Sequence, residues 1–175
     1  SDKDFIQLVN DNVIVYRPME KEYYTEQTVI DKYKMSPKNF ILHKTLLGDN
    51  SDKIKGVKGL GEKGIYKKFP ELMERDMDLQ DIFNICESKF KDHVVYARVL
   101  QNMDEIENNY KIMNLENPMI SDKEKEYLDK VVTSEIPPYI PDQFLAFYNQ
   151  DKLGGMIRNV EFWVKDIFEK LVIKE

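Results

Sequence analysis

Residues 46–69 read Leu46-Leu47-Gly48-Asp49-Asn50-Ser51-Asp52-Lys53-Ile54-Lys55-Gly56-Val57-Lys58-Gly59-Leu60-Gly61-Glu62-Lys63-Gly64-Ile65-Tyr66-Lys67-Lys68-Phe69. Five of the seven glycines of the 175-residue chain fall here. Glycine costs conformational entropy unless the backbone needs a positive φ or something must approach it closely. From Lys53 to Lys68 there are six lysines against the single acid Glu62, a local net charge of +5 in a chain of net charge −6. A basic, glycine-rich turn in an acidic protein is a local device, and its natural ligand is a phosphate chain. Leu60 and Ile65 are apolar anchors on either side of Gly61, and a new helix is expected from Glu62 onward. The amide N–H groups at the start of such a helix lack intrahelical partners and can hold an anion. Lys58 and Lys63 flank the turn, and Lys67 lies one helical turn beyond Lys63 on the same face. Contacts of this kind bind without reading bases and weaken steeply with salt. The alternative is a surface turn with solvated lysines.

Just before the turn, Gly48-Asp49-Asn50-Ser51-Asp52 places two aspartates three residues apart after an apolar helix. Carboxylates so placed project to one side and can share hydrated divalent cations; capping of the next short helix is the other reading. The combined pattern Gly-Asp-x-x-Asp-x-Ile-x-Gly-Val-x-Gly-Leu-Gly-x-Lys resembles the helix–three-turn–helix signature of the 5′-nuclease superfamily. That superfamily comprises flap endonucleases, phage 5′ exonucleases and the 5′-nuclease domain of bacterial DNA polymerase I. The first eight residues, Ser1-Asp2-Lys3-Asp4-Phe5-Ile6-Gln7-Leu8, resemble its Ser-x-Asp-x-Asp-Phe-x-Gln-Leu element, in which both aspartates bind metal at the end of a parallel strand. Two acids near a chain start otherwise read as a solvated terminus.

The resemblance implies a structure-specific 5′ nuclease that cuts phosphodiesters near 5′ ends or flaps by two-metal hydrolysis during replication or primer removal. It implies metal binding by Asp2, Asp4, Asp49 and Asp52, whose mutual repulsion two Mg²⁺ ions, with Mn²⁺ as a substitute, would offset. It implies phosphate contacts by Lys58, Gly59, Gly61, Lys63 and Lys67. A K⁺ ion at the turn, on the backbone carbonyls of Val57 and Leu60, is implied as well. The partners implied are duplex or flap DNA, an RNA–DNA primer hybrid and other replication proteins, in the host cytoplasm if the protein is a phage one. Family members carry a further region before the Ser1–Leu8 element, with more of the sheet, more acids and the arch that handles the 5′ end. The chain therefore reads as the C-terminal part of a nuclease, inactive alone. A non-catalytic duplex-DNA-binding module is the alternative.

Elsewhere, Asn12–Arg17 reads as a strand stopped by Pro18, and Lys21–Thr25 as a polar loop. A helix is expected from Thr25 to Tyr33, with Val29, Ile30 and Tyr33 on one face. Ser36-Pro37 reads as an N-cap followed by proline at the first helical position, opening the helix that delivers Asp49. Beyond Phe69, a short helix at Glu71–Arg75, an amphipathic segment through Leu79, Ile82, Phe83, Ile85 and Cys86, and one long helix from Phe90 to Tyr110 are expected. Asn109–Leu115 resembles a family stretch that packs back onto the sheet. A charged helix spans Lys123–Val132, and Ile136-Pro137-Pro138-Tyr139-Ile140-Pro141 breaks it off. Two further helices flank Gly154-Gly155, the second carrying Ile157, Val160, Phe162, Trp163, Val164 and Phe168. The Ile-Pro-x-Tyr-Ile-Pro-Asp element with Tyr148-Asn149 resembles the T-even phage RNase H type within the superfamily.

The fragment is thus expected to be mainly α with little strand, while the parent fold would be the α/β, PIN-like 5′-nuclease fold. Its expected parts are residues 1–20 (end of the nuclease core), 21–110 (helical region with the motif at 46–69) and 111–175 (C-terminal helices). No apolar run approaches the ~18 residues of a membrane span, and no stretch reads as a signal peptide. The single cysteine excludes an intramolecular disulfide and fits a reducing compartment. His43 and His93, the only histidines, argue against a zinc site or a histidine catalytic pair; His43 reads as a structural residue of the helix before Asp49.

Overall fold

A computed structural model describes residues 2–135 and 140–168, and the chain divides into two compact units, Ser1–Ile120 and Ser121–Glu175. The first unit is built around helix α2, Pro37–Leu47. Ser36 accepts a hydrogen bond from the Asn39 amide and Pro37 occupies the first turn, as the sequence predicts. Eight of the eleven α2 residues are buried, Asn39, His43 and Thr45 among them, because the helix is packed on nearly every side. It packs against a 3₁₀ turn, Lys3–Leu8, and against helix α6, Met103–Met113. Gln7 ties these pieces together: its amide donates to the Asp4 and Met113 carbonyls at 2.9 and 3.1 Å and accepts from the Leu115 amide at 3.0 Å. The Asn109–Leu115 stretch thus packs back onto the 3₁₀ turn rather than a sheet.

Two small antiparallel ladders are present among the described residues. Strands β1 (Val15–Arg17) and β2 (Glu22–Tyr24) pair with Val15 opposite Tyr24 and Arg17 opposite Glu22. The expected polar loop at Lys21–Thr25 is therefore mostly a strand. Tyr23 and Tyr24 are good strand formers, and Tyr23 lies against Tyr16 with ring centroids 4.6 Å apart. Helix α1, Glu26–Tyr33, follows, with Thr25 and Thr28 in a reciprocal cap. Val29 and Tyr33 are buried, but Ile30 faces solvent. Strands β3 (Gly48–Asp49) and β4 (Ile54–Lys55) form the second ladder, with Gly48 opposite Lys55 and Asp49 opposite Ile54.

Helix α3, Glu62–Lys68, starts where expected, with Leu60 and Ile65 buried on either side of its N-cap Gly61. A 3₁₀ turn, Pro70–Met73, and helix α4, Leu79–Lys89, follow. The single long helix expected at Phe90–Tyr110 is two: α5, Val94–Gln101, capped by His93, and α6. The break is at Asn102, whose side chain donates to the Arg98 carbonyl at 2.7 Å. One apolar cluster gathers Leu42, Leu46, Ile65, Phe69, Ile82, Val99 and Ile106, with Cys86, whose thiol burial pushes up to about 12. A second gathers Ile6, Val15, Tyr24, Val29, Tyr33 and Phe40.

The second unit contains α7 (Asp122–Thr133), capped reciprocally by Ser121 and Glu124, α8 (Pro141–Gln150) and α9 (Val160–Phe168). Tyr148 of α8 is buried, and its hydroxyl accepts from the Ile157 amide at 2.9 Å. The last helix begins at Val160, so Ile157 lies in the turns before it. Residues 136–139 of the expected breaker fall outside the described residues. No helix among the described residues is long and apolar enough to cross a membrane.

Candidate metal centre and phosphate-binding turn

Gly48 ends α2 with φ +75° and ψ 180°, a backbone state that essentially only glycine adopts. That reversal turns Asp49 back toward the Lys3–Leu8 turn, which α2 holds alongside. The outcome is a cluster: Asp4, Asp49 and Asp52 each offer a carboxylate oxygen, all within 4.8 Å of one another. Asp2 does not converge on it. Its carboxylate instead accepts from the Asp4 amide at 3.1 Å as the cap of the 3₁₀ turn, and it lines the adjoining cavity of about 410 Å³. Of the four acids singled out by sequence, three thus meet and the fourth shapes their neighbour.

The residue that sequence reasoning missed is Lys44. Its ammonium, largely buried, donates to Asp4 and, at 2.8 Å, to Asp49. The amide of Ser51 donates to Asp49 at 2.9 Å, and its hydroxyl donates as well. Lys44 first, then Ser51, holds the Asp49 carboxyl well below the usual carboxylate range. A lysine on the buried stretch Phe40-Ile41-Leu42-His43-Lys44-Thr45-Leu46 is the signal that could have found it, since a charge there requires a partner. The carboxylate oxygens are the donors a hard divalent cation takes, so the residues fit one, with Lys44 as the competing positive charge.

His43 lines the same cavity, together with Arg17, Tyr33, Phe40 and Glu62. Its ring stacks on Phe40 at 5.7 Å, and neither nitrogen has a hydrogen-bond partner. Burial depresses its pKa, against a small opposing pull from Glu62. The imidazole is therefore packed as a neutral ring.

From the β3–β4 ladder the chain passes directly into the lysine turn. Gly56 lies against the end of α2: a Cβ built there would fall 2.0 Å from the Leu47 carbonyl oxygen, and one on Gly48 would fall 2.2 Å from the Gly56 nitrogen. The Val57 amide closes the crossing by donating to the Leu46 carbonyl at 2.8 Å. Gly59 has φ +83° and needs glycine. Gly61 does not: its φ is −101°, and a Cβ there meets nothing within 4 Å. Of the two reasons expected for glycine here, a positive φ or close approach by a ligand, the first holds at Gly59 and not at Gly61. Lys58 and Lys63 flank the turn, with Lys67 in the last turn of α3. The Val57 carbonyl, one of the two expected to face a monovalent cation, accepts from the Leu60 amide at 3.0 Å, and the intervening Lys58 carbonyl accepts from the Arg98 guanidinium at 2.8 Å.

No family model matches the chain. It is 39% identical over 71 residues to a 5′–3′ exonuclease of Aquifex aeolicus, covering 39% of this chain and 25% of that protein. It is 26% identical over 185 aligned positions to DNA polymerase I of Caldicellulosiruptor bescii, covering 99% of this chain and 18% of that protein. It is 39% identical over 71 residues to the thermostable DNA polymerase I of Thermus thermophilus, covering 41% of this chain and 8% of that protein. The chain spans a quarter or less of the length of these relatives. Among solved structures, the T5 D15 protein co-crystallised with metal ions matches with a TM-score of 0.52 at 19% identity, over 65% of this chain and 40% of that one, which is a likeness of fold. Together these matches support the resemblance to the 5′-nuclease superfamily, and they do not support the narrower T-even phage RNase H type.

Proposed function

We propose that the chain is part of a structure-specific 5′ nuclease that hydrolyses phosphodiesters near 5′ ends or flaps in replication or primer removal. The observation that carries this reading is the convergence of Asp4, Asp49 and Asp52 at the foot of the ladder that opens into the lysine turn. Asp4, Asp49 and Asp52 would hold divalent cations, with Asp2 beside them. Mg²⁺ is the proposed ion and Mn²⁺ its substitute. When bound, such ions supply a nucleophile at neutral pH and offset charge on the leaving oxygen.

The chain's own residues do the rest. Lys44 keeps Asp49 ionised and bridges it to Asp4 while no cation is bound. Ser51 fixes the Asp49 carboxylate by two hydrogen bonds. Lys58, Lys63 and Lys67 bind phosphates of the duplex, with Gly59 and Gly61 allowing close approach. A K⁺ ion on Val57 and Leu60 would share the turn with the fixed charge of Arg98, and no step is assigned to it. The division into a core end (1–20), a DNA-binding region (21–110) and a C-terminal segment (111–175) belongs to this proposal. So do the primer hybrid and replication proteins as partners, the cytoplasmic location and the T-even kinship.

A second reading, a duplex-binding module that does not cut, is favoured by Lys44, which already neutralises part of the acidic cluster. The test is duplex binding by fluorescence anisotropy across a salt series, alongside cleavage of a labelled 5′-flap by the intact nuclease, with and without Mg²⁺. Replacing Lys58, Lys63 and Lys67 by glutamine is expected to lower the slope of log K against log salt by about 0.9 for each phosphate no longer neutralised. Asp49→Asn with Asp52→Asn is expected to abolish cleavage and leave binding in place. Binding unaffected by the lysine changes would refute the reading. Cleavage unaffected by the aspartate changes would refute the metal assignment, and binding without any cleavage by the intact nuclease in Mg²⁺ would leave only the binding module.

A further inference from the structure

Three carbonyls of the lysine-rich segment are held from outside by side chains of α5 and α6. Asn109 donates to the Lys55 carbonyl at 2.9 Å, Arg98 to the Lys58 carbonyl at 2.8 Å, and the Tyr96 hydroxyl to the Lys68 carbonyl at 2.9 Å. In each case the carbonyl belongs to a lysine; Lys55 and Lys58 are exposed, while Lys68 is half-buried with its ammonium 5.8 Å from the centre of the Tyr96 ring. Asn109 and Tyr96 are buried, which keeps them from a ligand on the surface. Arg98 is different. It is partly exposed, and a guanidinium carries five N–H donors in a planar fork. Among the described residues its guanidinium has the Lys58 carbonyl as its one hydrogen-bond acceptor and no carboxylate partner. The absence of a side chain on Gly59 is what admits it: a Cβ there would sit 2.7 Å from the Arg98 Nη1 atom.

We propose that Arg98, contributed by α5 from 40 residues further along the chain, is a phosphate-binding residue of the lysine turn. One N–H of its guanidinium fixes the Lys58 backbone, and the remaining donors face a phosphate oxygen of the same duplex strand that Lys58 and Lys63 hold. The inference rests on the proposed duplex-binding reading and adds to it a residue outside the glycine–lysine motif. It also gives Gly59 a second reason to be glycine, beyond its positive φ. Arginine suits the place better than lysine, because a planar fork can engage a backbone carbonyl and a phosphate oxygen at once.

The experiment measures duplex affinity of the full chain between ~50 and 200 mM KCl for wild type, Arg98→Gln, Arg98→Lys and Lys63→Gln, with a melting curve for each. Glutamine can still donate to the Lys58 carbonyl but carries no charge. Arg98→Gln is expected to melt like wild type and to neutralise one phosphate fewer, so that the fall in affinity across that range shrinks by about 3–4-fold. Arg98→Lys is expected to keep the wild-type salt slope with weaker binding. An Arg98→Gln slope and affinity equal to wild type would overturn the proposal, and so would an Arg98→Lys slope as low as that of glutamine. If Lys63→Gln lowers the slope while Arg98→Gln does not, the duplex reading stands and the role of Arg98 falls. If wild type shows no salt-dependent duplex binding at all, both fall.

Discussion

Replacing Gly48 by alanine should be among the most damaging single changes in the first unit, and replacing Gly61 among the mildest. At Gly48 the backbone sits at φ +75° and ψ 180°, a state that costs a residue with a Cβ about 1–3 kcal/mol. The added Cβ would also meet the Gly56 nitrogen at 2.2 Å and the Ile54 carbonyl oxygen at 2.5 Å. Both are backbone atoms that cannot swing away, so overpacking adds about 1–3 kcal/mol. The sum, about 2–6 kcal/mol, is a large part of the ~5–15 kcal/mol that a domain has in total. Gly56→Ala tests the same crossing from the other side, since its Cβ would fall 2.0 Å from the Leu47 carbonyl oxygen although no positive φ is involved. Gly61→Ala adds a methyl group to open space at an ordinary extended φ, and its effect should lie within about 0.5 kcal/mol. Urea unfolding followed by circular dichroism reads all three. At an m-value of about 2 kcal/mol/M, a loss of about 3 kcal/mol lowers the midpoint by about 1.5 M. A Gly48→Ala midpoint within experimental scatter of wild type, or a Gly61→Ala midpoint as low as that of Gly48→Ala, would refute the reasoning.

Lys44→Met should lower the melting temperature without divalent ions, because Asp4 and Asp49 then face each other without a counter-charge, a loss of about 1–3 kcal/mol for a half-buried pair. Mg²⁺ should restore it, by up to about 2.7 kcal/mol at about a hundred times the dissociation constant, and a melting temperature indifferent to both changes would count against the metal centre. His43 has a depressed pKa in the folded state, so below the unfolded value of about 6.5 the unfolded chain binds the proton that the folded chain refuses. Stability should accordingly fall as pH drops through that window, by at most about 1.4 kcal/mol per unit. His43→Phe, which keeps a ring against Phe40, should remove that component, and identical pH dependence in the two proteins between about pH 7 and 5 would show that burial of the imidazole carries no linkage.

What could be read from the sequence was whatever neighbours along the chain decide among themselves. Ser36-Pro37 and Thr25 cap helices through atoms three residues away, and both helices begin where those residues place them. The strand at Glu22–Tyr24 was hidden because its glutamate and two tyrosines look polar, while its pairing comes from Val15–Arg17 across a turn. The break at Asn102 was hidden because α5 and α6 each carry an apolar face, so the helical period runs on through the interruption. At the site, residue types were legible and geometry was not. Asp2 and Asp4 are equivalent in the pattern, yet one caps a turn and the other faces the cluster. Glycines showed the same limit. The turn pattern weights Gly59 and Gly61 alike, but which glycine is indispensable depends on what lies against it, and Gly48 and Gly56 lie against each other.

That apposition bears on how the proposed function would work. Asp49 is paired with Ile54, and Gly48 with Lys55, so the acidic loop closes on itself before the lysine turn begins. The next residues are fixed in succession: Gly56 against the Leu47 carbonyl, Val57 by its amide to Leu46, Lys58 by its carbonyl to Arg98. From Gly56 to Lys58, the lysine proposed to bind phosphate first, each backbone step after the ladder is therefore tied to α2 or α5. A loop that binds DNA by charge alone needs no such rigidity, since lysine side chains tolerate displacement and phosphate contacts are not selective. Rigidity is useful when the distance between a held phosphate and a second point on the same strand must be constant, because a misplacement of about 1 Å can cost about a hundredfold in rate. The short, pinned path from Asp49 to Lys58 is what a nuclease that measures its cut from a bound duplex requires. A binding module would gain nothing from it.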